Sequence, residues 1–426
     1  MALSTNKETS DSVPTPPKNE AIIDESESPP RDRGVWAWVQ CVAGFCLFFN
    51  TWGMLNSFGI FQTFYEQDFL RNSSASQVSW IGTVQSSFIM LGSLYSGPLF
   101  DRGYLRHLVL LGSIILVFGM FMTSICTQYW HILLTQGVVM GLGTGCLFTP
   151  TTGVIASHFD KRRGLAMGIV STGSTIGGII FPVMFHKLVD SAGYGWTIRA
   201  IAFLMLALSI LPVCSMRVRV KTPSSGNGLD IGAFRDPGFS FFAIAMFVGY
   251  LGLYIPFFYI QLYSLEERSI VGGLNVYTLP IMNAAGLLGR LALGYLGDRI
   301  GPLNAFMLSA WACGALVFAW SGMETKDSVI AFCVLYGFFS SGLITLPATV
   351  VAQNLCPDIR QYGVRMMLHL VPAALGLLIG NPIAGAILKD GWTGLQVFAA
   401  SLIVASAIFS GLTKYFTVRL SKNIQG

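Results

Sequence analysis

The sequence predicts an all-α integral membrane protein with twelve transmembrane helices in two six-helix pseudo-repeats. Three observations lead there. The 426 residues are 53% hydrophobic and 11% charged, with a mean hydropathy of +0.61, which leaves too little polar surface to clothe a soluble globule. Apolar runs of about 20 residues, the length that crosses ~30 Å of hydrocarbon, recur twelve times. The chain also repeats itself: Gly97, Leu99, Asp101 and Arg102 return 197 positions later as Gly294, Leu296, Asp298 and Arg299, and Gly145 and Pro150 return at the same offset as Gly342 and Pro347. Duplicated halves with a binding site between them are the usual construction of a secondary transporter, and a duplicated scaffold without transport is the alternative.

The spans read as helices, because backbone amides in hydrocarbon need internal partners and the runs are too uniformly apolar for alternating barrel strands. Residues 1–34, rich in Ser, Pro, Glu and Lys, carry no apolar stretch and read as a disordered tail; the first span begins too late and is too long for a cleavable signal. The first half, 35–215, holds spans at 36–60, 77–99, 106–126, 130–155, 164–186 and 197–215. Residues 216–238, basic and then rich in Pro, Ser and Gly from Pro223 to Gly228, read as a linker. The second half, 239–417, holds spans at 239–262, 273–296, 303–322, 329–353, 364–388 and 394–416, and 418–426 read as a short tail. Among the 47 glycines, Gly168, Gly177, Gly178, Gly376, Gly380 and Gly385 are placed to let helices approach closely.

Charge sets the orientation. With both ends in the cytosol, inside segments carry nineteen Lys and Arg and outside segments six, a bias that also accounts for the net charge of +5 without nucleic acid or another polyanion as partner. Asn72, Ser73 and Ser74 form a sequon in the first outside loop, a candidate glycosylation site. The eight cysteines lack metal-like spacing and read as buried thiols. No constellation of nucleophile, base and metal ligands points to an enzyme, and Gly141 to Gly145 lack the Gly-Lys-Ser/Thr ending of a nucleotide loop, so no cofactor or metal is expected.

Arg290 is the one clearly intramembrane charge, deep in the eighth span, where such residues usually face a cavity; a structural pair with a helix carbonyl is the alternative. Asn283, seven positions earlier, lies on nearly the same face. The seventh span carries Tyr250, Tyr254, Phe257, Phe258 and Tyr259 around Pro256, a kinked aromatic surface for a solute or, equally, for packing or lipid. His369 reads as a hydrogen-bonded core histidine ahead of a titrating one.

At the helix exits, Asp101 and Arg102 with Gly103, and Asp298 and Arg299 with Gly301, can cap a neighbouring helix or pair across it and lock one face shut. With Gly97 and Leu99 they resemble the loop signature of the major facilitator superfamily, in which that loop belongs to the cytosolic gate. His158 to Gly168, with Phe159, Lys161, Arg162, Arg163, Gly164 and Leu165, is similar to the Phe-Lys-Arg-Arg-Leu-Ala-Gly pattern of the monocarboxylate porter family, and Gly34 to Trp38 resembles its acidic-Gly-Gly-Trp-Gly-Trp opening with Arg33 in the acidic place. The resemblance, closest to the fungal type, implies the major facilitator fold, alternating access and frequent proton coupling. The residues themselves give a candidate central site of Arg290 with Asn56, Asn283 and Tyr254, and the basic and acidic clusters a candidate cytosolic gate of Asp101, Arg102, Lys161, Arg162, Arg163, Asp298 and Arg299. Where animal members carry an aspartate before this arginine and a lysine in helix one, this chain has Gly286 and Asn56, which argues against lactate transport in the animal manner.

The resulting expectation is a plasma-membrane carrier of an organic acid or secondary metabolite, anionic in character and moved outward with protons as a candidate coupling ion. Uptake of short monocarboxylates is the first alternative and a non-transporting solute sensor the second.

Overall fold

The computed structural model describes residues 34–71, 73–159, 163–218, 231–266, 274–323, 325–356 and 362–425; residues 1–33, most of the linker, Asn72, Lys161 and Arg162 lie outside them, as do the side chains of Asp101 and Arg163. The described residues are helical from end to end of each span. Helix α1 runs through Val35–Asn50, Trp52–Asn56 and Phe58–Phe64 into a π-helical turn at Tyr65–Phe69. Helix α2 comprises Ala75–Leu91 and Ser93–Asp101, α3 is Leu105–Thr123 and α4 is Tyr129–His158. The run Arg163–Ser215 is α5 and α6 joined at Gly193, whose φ of +75° interrupts the helix. Helix α7 is Pro237–Leu253 with Ile255–Glu266, α8 Leu274–Ile300, α9 Pro302–Trp320, α10 Lys326–Asn354, α11 Tyr362–Ile387 and α12 Trp392–Gln425.

Among the described residues ten helical stretches are long and apolar enough to cross a membrane. One of them holds both α5 and α6, and α2, split at Gly92 into pieces of 17 and 9 residues, completes twelve. Several helices outrun the expected spans: α1 continues past 60 to Phe69, α8 carries Asp298 and Arg299 in its last turns, α5 runs into α6 without the expected loop, and α12 continues to Gln425 where a tail was expected from 418. Apolarity reports the hydrocarbon thickness, whereas the helix persists as long as its backbone bonds do, so polar helix formers extend it beyond the lipid.

Within each half, glycines set the packing distances. A Cβ on Gly177 would stand 2.6 Å from the Phe49 carbonyl oxygen and 2.9 Å from the Gly53 Cα, so α1 and α5 touch backbone to backbone. Gly376 and Gly380 admit the Phe247 and Leu251 carbonyls of α7 against α11, and Gly143 lies on Leu116 of α3, which settles the Gly141 to Gly145 run as helix packing. Gly168 departs from expectation, since nothing lies within 4 Å of where its Cβ would be. The duplicated loops both turn on a left-handed glycine, Gly103 at φ +90° and Gly301 at φ +91°, a conformation that a side chain would strain.

The halves meet along α2 with α11, α5 with α8, and the distal parts of α1 and α7. Contact is tightest on the face opposite the termini: Phe58 and Phe258 pack at a tilt with ring centroids 4.8 Å apart, and a Cβ on Gly385 of α11 would stand 2.6 Å from the Ser76 amide of α2. Toward the terminal face the seam loosens, for Gly168 and Gly294 have nothing within 4 Å of a Cβ and Gly97 approaches the other half no closer than Met367 Sδ at 3.8 Å. The halves therefore close distally and diverge toward the face that carries both chain ends.

Replacing Gly380 by Val should place a branched side chain on the Leu251 carbonyl and destabilise the second half by about 1–3 kcal/mol, the usual cost of overpacking; a lowered thermal midpoint of the detergent-purified carrier checks it.

Candidate functional site

Halfway along the seam, where α1, α5, α7, α8 and α10 converge, lies a narrow cleft. Asn56 and Thr175 come from the first half, and Phe257, Asn283, Arg290 and Ser340 are among the contributions of the second. The sequence places Arg290 on the inner face of α8 through the spacing with Asn283, and both line this one cleft.

Arg290 is half-buried and ties the halves together. Its Nη1 donates to the Ser171 carbonyl at 2.5 Å and to Ser174 Oγ at 2.7 Å, both on α5, while its Nε is buried without a partner. Arg290 therefore lines the cleft and at the same time pairs with a helix carbonyl. Asn283 donates to its own-helix Leu279 carbonyl at 3.0 Å, to Gly178 O at 3.3 Å and to Asn56 O at 3.5 Å. It fits there because Gly178 has no side chain; a Cβ would stand 2.6 Å from Asn283 Cγ. Asn56 reaches the Ser174 carbonyl at 3.5 Å and leaves its Oδ1 unpartnered.

The aromatics of α7 are buried in protein, which removes the lipid-facing alternative. Phe257 alone among them lines the cleft. Tyr254 sits at the break between the two parts of α7, packed on Tyr250 at 6.1 Å and Phe257 at 5.5 Å, close enough to Arg290 to interact electrostatically, with its hydroxyl unpartnered. The break is held from α10, where Tyr336 donates its hydroxyl to the Leu253 carbonyl at 2.7 Å. His369 is 1% exposed, packed beside Phe242 at 6.4 Å and remote from the cleft lining.

Of the gate candidates, the side chains of Asp101, Lys161, Arg162 and Arg163 lie outside the described residues. Arg102, Asp298 and Arg299 are exposed, and Arg299 turns back on its own helix, donating to the Tyr295 hydroxyl at 2.7 Å. The motifs at the start of α1 and after α4 do meet: Trp38 packs edge-on against Phe159 at 5.4 Å, while Gln40 donates to the Ser215 carbonyl at 2.9 Å and accepts from the Arg217 amide. Residues the sequence did not single out are Ser171, Ser174 and Thr175 on α5 and Ser340 and Ser341 on α10. Their small hydroxyls look like ordinary helix residues until Arg290 is set opposite them.

A duplicated bundle of membrane-crossing helices with a polar cleft and a single cation at the seam defines a secondary transporter, a class without enzymatic chemistry. The chain belongs to the Major Facilitator Superfamily, whose family model matches residues 41–369. It is 37% identical to the MFS-type transporter dbaD of Emericella nidulans over 86% of this chain and 83% of that protein. It is 35% identical to the fujikurins efflux protein of Gibberella fujikuroi, covering 94% and 87% of the two chains. Among solved structures, a POT family transporter in complex with 5-aminolevulinic acid shares the fold at a TM-score of 0.67 and 15% identity, covering 90% of this chain and 96% of that one.

Ser174→Ala should weaken the seam by about 1.5–3 kcal/mol, the worth of a hydrogen bond to a charged group, whereas Ser171→Ala, whose contact is through its backbone, should be nearly silent. Thermal unfolding of the two variants side by side separates them.

Proposed function

We propose that this carrier exports a moderately apolar organic acid or secondary metabolite across the plasma membrane, with both termini in the cytosol. The observation that carries the reading is Arg290: a cation in the seam with an unpartnered Nε, beside the unpartnered Oδ1 of Asn56 and the aromatic wall of Phe257. A guanidinium binds a carboxylate through two parallel bonds, and the apolar wall favours a larger solute than lactate. The relative named for efflux of fujikurins supports the outward direction. The Phe159 to Gly168 and Gly34 to Trp38 motifs support placement beside the monocarboxylate porters.

Arg290 is bound to α5 in the conformation that diverges toward the termini. An anion that takes the guanidinium competes with Ser171 and Ser174, so solute and seam exclude one another and the solute shifts the balance of states through unequal affinity. The cleft is narrow in this conformation, with room for about one water, far below the ~300–1,000 Å³ of sites that enclose drug-sized ligands, so a metabolite enters as the halves part. Asn283 and Tyr254 hold the two sides of the site. In the opposite, outward-facing state, Asp101 and Arg102, the Lys161 to Arg163 cluster, and Asp298 and Arg299 close the cytosolic side. The two bundles, 35–215 and 239–417, move about the linker 216–238, with Asn72 presented outside for glycosylation.

In proteoliposomes under an imposed pH gradient, Arg290→Gln should abolish flux of aromatic organic acids at unchanged protein incorporation; undiminished anion flux removes Arg290 from the site. Collapse of the pH gradient should stop accumulation by the wild type if protons are the coupling ion, and lactate or pyruvate flux in place of the larger acids selects uptake of short monocarboxylates. Asp298→Asn should shift the carrier toward inward-facing states, raising alkylation of a cysteine placed at Gly294; unchanged alkylation counts against the gate.

A further inference from the structure

A second polar cluster lies away from the cleft, at the distal closure where α1, α2, α7 and α11 converge. Its centre is Glu66, half-buried in the π-helical turn of α1 and ten residues beyond Asn56, where the first apolar span ends. Gln62, one turn earlier and fully buried, donates through Nε2 to Glu66 Oε1 and to the Ala75 carbonyl of α2 at 3.2 Å. The Oε1 of the same Gln62 amide is buried with no partner.

The groups facing Glu66 from α7 are Tyr259 and Glu266. Tyr259 commits its hydroxyl proton to the Asn381 carbonyl of α11 at 3.1 Å, and Glu266 adds a like charge. From its own helix, Asp68 is engaged by Arg71 at 3.3 Å, the one ion pair among the described residues. No described cation compensates Glu66. Burial, reinforced by Glu266 and opposed by the Gln62 amide, pushes its carboxyl up to about 8.

We propose that Glu66 is a proton-binding site of the distal closure: as the neutral acid it holds the outer ends of α1, α2 and α7 together, and loss of its proton releases them. An ionised carboxylate offers only acceptors, so it cannot serve the bare Oε1 of Gln62, whereas the acid carries the one donor which that oxygen lacks. Parting the helices hydrates Glu66 and returns it toward the ordinary ~4.3 of glutamate. The closed state then binds the proton more tightly than the open one. Closure is fully favoured below the open-state value and is lost as the pH rises through the closed-state value, by about tenfold in the closed-to-open ratio per pH unit between the two. The inference rests on the orientation given under Proposed function, because the proton then comes from the external medium.

Spin labels at Arg71→Cys and Lys389→Cys, exposed on opposite halves of that face, report the distal separation in nanodiscs by pulsed electron resonance, with the exposed Cys214 replaced by Ser. From pH 5 to pH 9 the wild-type background should move from a short to a long distance. Glu66→Gln, a permanent mimic of the acid, should stay short at every pH, and Glu266→Gln, which removes the like charge, should move the transition to lower pH. A pH-independent distance in the wild-type background, or an unaltered transition in Glu66→Gln, overturns the proposal; should Glu66→Gln fail to fold, an unshifted transition in Glu266→Gln does so. The readout needs no solute, so loss of Arg290-dependent flux would strike the export reading and leave this one standing.

Discussion

The constraint on which the rest depends is that hydrocarbon supplies no hydrogen bonds. Every backbone amide must be satisfied within a helix, and every polar side chain must find a protein partner or stand out as unsatisfied. Most hydroxyls here solve this locally by donating to a carbonyl one turn back, as Ser57 does to Gly53 at 2.7 Å and Ser86 to Gly82 at 2.5 Å. Against that background the polar atoms without partners are informative, and at Arg290 and Asn56 they face one cleft.

The same constraint explains the glycines. Lipid offers no hydrophobic force between helices, so cohesion comes from close approach, and close approach needs the absence of a side chain. Gly177 of α5 against α1, Gly376 and Gly380 of α11 against α7, and Gly178 under Asn283 are positions where backbone or an amide fills the space a Cβ would take. The seam between the halves differs in kind. It carries a few polar contacts, chiefly Arg290 to α5 and Asn283 to Gly178, and tilted aromatic rings distally.

Such a division suits a carrier. In the proposed scheme, rigid halves keep the cleft residues in place while the seam parts, and a bound solute or proton acts by preferring one arrangement. Arg290 and Glu66 occupy complementary places in the proposed scheme, the first mid-seam and bound to α5, the second at the distal end beside an unpartnered amide oxygen.

The sequence by itself determined the class of fold, the number of helices and their duplication, because apolar length and internal register are local properties that the bilayer reads directly. It also marked Arg290 and Asn283, since an intramembrane charge and its same-face neighbour are visible along one helix. Helix ends were less legible: α1, α8 and α12 run past their apolar segments, and no apolarity signal marks where backbone bonding stops. Only the tertiary structure decided what faces Arg290, that Phe257 and not Tyr254 lines the cleft, and that Glu66 sits beneath α7 against an unserved amide. Those facts depend on which helices cross which, a matter of residues more than a hundred positions apart that no single helix records.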